Sequence, residues 1–299
     1  MRTELDHLPE EKRRDLERIV EILFAEFKDV TALGTQEWKR QGRILKIVLF
    51  GSFARGDWVA DPKGGFFSDF DILVVVSDRR LTDKVQIWSN ADDHLTRAVT
   101  IEKSISAPVN FIVHDLAEVN DELRHGRPFF VDIARDGIAL YEMEGCEFEQ
   151  PRHLSRAKQQ AEAQRYFDQW FLSAEAFQKS AAFLVGIDRP IEAAYSYHQS
   201  AERFYRCVLL VLTLYAPKSH RLNFLRSQAE SHDARLIEVW PRDTRFGQRC
   251  FELLRRAYVE GRPSTQYTIT PEELEWIAER MEVLQSLVRQ ICEERLALG

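Results

Sequence analysis

Two short stretches of this 299-residue chain carry residues whose types and spacing could do chemistry. The first is Gly51-Ser52-Phe53-Ala54-Arg55-Gly56, directly after the apolar run Ile44 to Phe50; the second is Ser68-Asp69-Phe70-Asp71, which leads into Ile72 to Val76. The run before Gly51 reads as a buried strand, and Ser52-Phe53-Ala54 can open a short helix behind it. Gly51 lets the backbone approach a ligand, and Ser52 can donate to a phosphate oxygen and cap the new helix. Backbone N–H groups at such a helix start make an anion site. Asp69 and Asp71 stand two apart at the start of a β-branched strand, so both carboxylates share one face. Converging carboxylates hold Mg²⁺, with water and substrate phosphates completing the octahedron. Either motif alone has a bland reading, a tight turn or a solvated strand edge. Joined in the order strand, turn, helix, strand, they point to nucleotidyl transfer.

In that order the residues resemble the minimal nucleotidyltransferase family of the polymerase-β superfamily. Its signature is Gly-Ser, an Ala-Arg-Gly continuation and Ser-Asp-x-Asp on the next strand, and the resemblance spans roughly residues 40 to 145. The resemblance implies that Ser52 and the Gly51 backbone hold the β- and γ-phosphates of ATP or another nucleoside triphosphate, that Asp69 and Asp71 hold Mg²⁺, and that Ser68 belongs to the nucleotide site. Arg55 adds charge near the phosphates or packs on the surface. Asp57 to Phe67 exceeds the family minimum, and its Asp61-Pro62-Lys63-Gly64-Gly65 is turn punctuation, so a hairpin extension is expected at the mouth of the site. Lys63 there touches substrate or, in the plainer reading, solvent.

The family pattern breaks at its third acid, which lies on a later strand and helps deprotonate the attacking hydroxyl. The matching strand here is Pro108 to His114, and the expected position holds Asn110. An amide can hydrogen-bond a ligand or a metal-bound water but cannot act as a carboxylate base. His114 falls on the same face by alternation, yet about 13 Å further along the strand. Asp115 and Glu118 suit the start of a helix over Leu116 to Arg124.

Around these motifs, the composition is that of an ordinary soluble protein, 44% hydrophobic and 30% charged. No apolar run is long enough for a membrane span and the N-terminus lacks a signal peptide's apolar core, so a cytoplasmic protein is expected. The four cysteines, Cys146, Cys207, Cys250 and Cys292, have no paired short spacing, which indicates neither a zinc site nor a disulfide framework. A net charge of −7 argues against a general grip on nucleic acid.

Apolar spacing predicts an amphipathic opening helix over 9–29, strands near 44–50, 70–76 and 108–114, a helix near 81–99 and a short strand at Gly137 to Tyr141. Gly145 to Pro151 breaks the pattern, which gives two domains, 1–148 and 149–299. The second reads as helices near 153–185, 189–215, 221–232, 243–260 and 271–296, with Thr270 and Glu273 as a capping box on the last. The fold class expected is α+β: a mixed sheet with helices, followed by an all-α bundle.

Ala193 to Glu202, then Lys218-Ser219-His220-Arg221-Leu222, then Ala257 to Arg262 with Tyr267, resemble the HEPN family of nucleotide-binding helical bundles over roughly residues 155 to 296. Many members are metal-independent ribonucleases with an arginine followed, four to six residues on, by histidine. Arg226 and His232 have that spacing, but in a stretch that reads as surface, while Arg262 in the expected late segment has no histidine after it. His198 and His220 are better pocket candidates, each also compatible with capping or a satisfied helix contact. Family habit, together with more apolar residues (Phe204, Leu209, Leu210, Leu212) than one helix face can hide, predicts a homodimer through this domain, with core packing alone as the other explanation of those residues.

Two functions follow. One is an Mg²⁺-dependent nucleotidyltransferase that moves a nucleoside monophosphate from ATP or another nucleoside triphosphate to an acceptor hydroxyl on a small molecule, a protein or an RNA end. That arrangement is similar to aminoglycoside nucleotidyltransferases, which append a helical bundle to the same fold. The other is a degenerate nucleotide-binding regulatory module of the toxin and antitoxin kind, in which such domains travel together.

Overall fold

In a computed structural model, residues 1–32, 34–61, 66–260 and 267–298 are described. Lys63 and Arg262 lie outside the described residues. The chain divides into two compact units, the first running to His153 and the second beginning at Leu154.

The first unit opens with α1 (Glu10–Ala32), whose Leu16, Ile19, Leu23 and Phe27 are buried as the apolar stripe requires. A short α2 (Glu37–Arg40) leads into β1 (Ile44–Phe50), followed without a gap by α3 (Gly51–Arg55). The hairpin extension is present: β2 (Ala60–Asp61) pairs antiparallel with β3 (Phe66–Phe67). Then come β4 (Phe70–Val76), α4 (Lys84–Ile87), α5 (Ser89–Thr100), β5 (Val109–Asp115), α6 (Leu116–Arg124), α7 (Pro128–Asp136) and β6 (Ile138–Glu142).

The helix expected as one piece over 81–99 is broken into a 3-10 turn, α4 and α5. Asp83 interrupts it by accepting the N–H groups of Val85 and Gln86, a helix cap in mid-run. Trp88 then turns inward, where its indole N–H donates to the Leu81 carbonyl at 2.7 Å.

β5-β4-β1-β6 is the order of the four-stranded sheet. β1 runs antiparallel to both neighbours, whereas β4 and β5 are parallel, so the sheet is mixed. One face, with Ile47, Leu49, Ile72, Val74, Phe111 and Val113, packs with α1 and α5 into the main core. The other face carries Asp71, Leu73 and Val75 of β4 and is covered by α6 and α7, with Phe50 edge-on to Phe129 at 5.6 Å. Both faces being covered explains why β1, β4 and β5 are buried at every residue.

Among the described residues the second unit is all-α: α8 (Arg156–Gly186), α9 (Pro190–Thr213), α10 (Leu222–His232), α11 (Arg245–Glu260) and α12 (Pro271–Ala297). α9 is its axis, buried at most positions and packed against the other four helices. Ala174 and Ala181 of α8 and Ala193, Ala194 and Ala201 of α9 let these helices approach closely, and Ser200 donates to the Ala174 carbonyl at 2.9 Å. The capping box on α12 forms, Thr270 bonding the Glu273 N–H and Glu273 bonding the Thr270 N–H. Phe204, Leu209 and Leu210 are buried within this unit, so they do not argue for a surface that needs a partner.

Candidate functional site

Gly51 is where the first motif becomes geometry. Its φ is +74°, and a Cβ there would stand 2.5 Å from Oδ2 of Asp71. Only glycine permits both the left-handed backbone and the close approach of the turn to the carboxylate. Phe50, not Ser52, takes the N-cap position, and among the described residues no side chain caps the helix; Ser52 sits half-buried in its first turn. Gly56, also left-handed at φ +85°, ends the helix, and the N–H groups of Gly56 and Asp57 both bond the Ser52 carbonyl. Phe53 anchors the turn from below, stacked between Trp58 at 5.3 Å and Phe70 at 4.3 Å.

Phe70 points into the main core, and alternation turns its neighbours Asp69 and Asp71 to the opposite face. Asp71 is buried, and its backbone pairs with Phe50 on one side and Asn110 on the other. The parallel register of β4 and β5 therefore sets Asn110 beside Asp71 on one face. Asn110 is buried, and its Nδ2 donates to Oδ2 of Asp69 at 2.7 Å. Asp69, Asp71, Asn110 and the Gly51-Ser52 turn are thus together.

The remaining candidates are engaged in other ways. Ser68 Oγ accepts the Val59 N–H at 2.9 Å while the Ser68 N–H bonds the Val59 carbonyl, which pins the base of the hairpin. Arg55 is exposed, bonds Asp57 at 3.1 Å, and its charge also reaches Asp132 and Asp136 of α7. His114 pairs with Val75, four residues along β4 from Asp71; its Nδ1 is 2.9 Å from Glu118, and its ring meets Phe130 edge-on. It stands about 13 Å from the site along the strand.

In the second unit, the Tyr258 ring stacks with two histidine rings, His198 at 5.3 Å and His220 at 5.0 Å. Buried Glu202 meets His220 Nδ1 at 3.1 Å and accepts from Arg206 at 3.1 Å. His198 Nδ1 donates to the Leu254 carbonyl, while its Nε2 is buried with no hydrogen-bond partner among the described residues. Burial pushes the His198 pKa down. Glu202 and Tyr258 lie in stretches that the sequence singles out and Arg206 lies outside them; the convergence of the three was legible only in the packing.

Arg226 and His232 do not form a surface pair. Arg226 is buried, bonded to Glu230 at 2.6 Å and held over the Phe251 ring at 4.4 Å. Glu230 also takes Arg242 at 2.6 Å. The apparently polar stretch Arg226 to Glu230 is interior: Arg226 and Glu230 are buried in this ion cluster and Gln228 is buried too, whereas His232 is exposed. The spacing is that of a structural network.

With the geometry in hand, comparison with known families divides the chain as its structure does. Residues 35–120 match the polymerase beta nucleotidyltransferase family, and residues 167–291 match the HEPN domain. The protein carries a polymerase-β-type nucleotidyltransferase domain followed by a HEPN domain. No curated protein matches the chain.

Proposed function

We propose that the first domain binds Mg²⁺ and a nucleoside triphosphate between the Gly51-Ser52 turn and the Asp69/Asp71 pair, and transfers the nucleoside monophosphate to an acceptor hydroxyl. The observation that carries this reading is the packing of Asp71 against a glycine at φ +74°, which sets a carboxylate beside the phosphate turn. Among the described residues no cluster of three or more His, Cys, Asp or Glu could hold a metal. Two carboxylates nevertheless fit Mg²⁺, which takes few protein ligands and completes its shell with water and phosphate oxygens. When bound, the ion would neutralise charge on the phosphates. The turn would orient the triphosphate, and Asn110 holds Asp69 in place through its amide.

Asn110 cannot take the proton of an attacking hydroxyl, and His114 is too distant to do so. Transfer without a positioned base forgoes about 10²–10⁴-fold in rate, although positioning and charge stabilisation still act. The same amide, bonded to Asp69, favours a second reading, a nucleotide-binding regulatory module with weak or no transfer. ATP is the first nucleotide to test, the acceptor is open among small molecule, protein and RNA end, and the reading assumes a cytoplasmic protein. Among the described residues no helix is long and apolar enough to cross a membrane. A homodimer remains a proposal for light scattering.

Incubation with each labelled nucleoside triphosphate and Mg²⁺, scored for binding and for pyrophosphate release, tests both readings. Mg²⁺-dependent binding lost in Asp69→Ala/Asp71→Ala supports the site. Pyrophosphate release by the wild type favours the transferase, whereas binding without release favours the regulatory module. Nucleotide binding unaffected by the double substitution removes the basis of both.

A further inference from the structure

Helix α3 is five residues long, too short to be stable by itself, and its last carbonyls have no partner within the helix. The Ser52 carbonyl is satisfied by Gly56 and Asp57. The next two are satisfied from the far N-terminus. The Phe53 carbonyl accepts from His7 Nε2 at 2.8 Å, and the Ala54 carbonyl accepts from the Arg2 guanidinium at 3.0 Å.

The segment that delivers these donors is itself tied down. The Arg2 guanidinium also bonds the Asp136 carbonyl at the end of α7, and the Arg2 backbone carbonyl accepts the Ala139 N–H at 2.8 Å, extending the β6 edge. Leu8, one residue past His7, is buried in the main core. His7 and Arg2 thus reach α3 from a fixed strand edge and a fixed core residue. The two side chains place donors, one of them cationic, at the carbonyl end of the helix, where they complement its dipole.

We propose that Arg2 and His7 are positioning residues for the Gly51-Ser52 turn: they hold α3 by its carbonyl end and so fix the backbone N–H groups at its other end. The functional half of this inference rests on the phosphate reading of that turn. The structural half does not.

The test uses the full chain, untagged at the N-terminus, as wild type, Arg2→Met/His7→Phe, and Arg2→Met/His7→Gln, in which the glutamine amide keeps a donor near the position of the imidazole Nε2. Amide exchange of Gly56 and Asp57 reports α3, and exchange across 109–115 reports the sheet. Loss of two net hydrogen bonds should speed exchange at Gly56 and Asp57 roughly 25-fold, at about fivefold each. Exchange in β5 should not change, and His7→Gln should recover roughly the fivefold share of His7. The dissociation constant for Mg²⁺ and ATP should rise with the opening. Unchanged exchange at Gly56 and Asp57, or an equal rise in β5, overturns the positioning role. Faster exchange in α3 with an unaltered dissociation constant overturns its functional half. A wild type that binds no nucleotide overturns the proposed function instead, and exchange then decides the structural half alone.

Discussion

Gly51→Ala probes the contact on which the site depends. At φ +74° an alanine meets a left-handed backbone cost of about 1–2 kcal/mol. Its Cβ would also lie 2.5 Å from Oδ2 of Asp71 and 3.3 Å from that residue's Cβ and Cγ. Asp71 is buried between strand neighbours, so relief must come from an off-rotamer carboxylate, which costs about 0.5–1.5 kcal/mol more. The sum, about 2–3 kcal/mol, should lower the melting temperature of the first unit by about 4–12 °C. Gly56→Ala is the control. Its φ is +85°, but among the described residues its added Cβ would find only His7 Cδ2 at an ordinary 3.5 Å, so the backbone cost alone should appear. The decisive comparison is the cycle of Gly51→Ala and Asp71→Ala by urea unfolding. If the clash is real, removing the carboxylate recovers about 1 kcal/mol of the alanine's cost. Additivity within about 0.5 kcal/mol would refute the close-approach argument, as would equal losses in Gly51→Ala and Gly56→Ala.

Asn110→Asp replaces a donor at 2.7 Å from Asp69 with a third carboxylate, so the variant should be less stable than wild type without metal and gain more stability from added Mg²⁺. Melting curves with and without the ion check this, and a rise in nucleotidyl transfer would favour the degenerate-site reading. Burial holds His198 neutral, its folded pKa below the unfolded value. The unfolded chain then takes up a proton first as pH falls, and stability should be lost below about pH 6.5; His198→Gln, followed by urea unfolding across pH, should reduce that slope. Arg226→Met leaves Glu230 with Arg242 alone and should cost about 3 kcal/mol in unfolding of the second unit. A loss under about 0.5 kcal/mol would refute the claim that the Arg226 ion pair holds the second unit together.

Much of the fold was legible because it is local. β1 and β4 occupy the apolar runs that announce them, the α12 capping box follows from Thr270 and Glu273, and the hairpin follows from turn residues between Asp57 and Phe67. Failures occurred where a local pattern met a long-range partner. The 81–99 run has helical spacing throughout, but a cap at Asp83 and the burial of Trp88 divide it. Arg226 to Glu230 reads as polar surface, yet the charges pair with one another and with Arg242 in the interior.

The candidate site divides along the same line. Sequence by itself determined that a glycine-serine turn follows one strand, that two aspartates share a face of another, and that the third position is an amide, because strand alternation and turn chemistry act over a few residues. Only the tertiary structure decided that the parallel register puts Asn110 beside Asp71 and within 2.7 Å of Asp69, and that Gly51 yields its missing Cβ to Asp71. It also decided that Arg2 and His7 bond the α3 carbonyls, and that Tyr258 stacks with both His198 and His220. These depend on strand pairing and packing between residues many positions apart, and a side chain's partner at that range is set by where the whole core closes rather than by its neighbours in the chain.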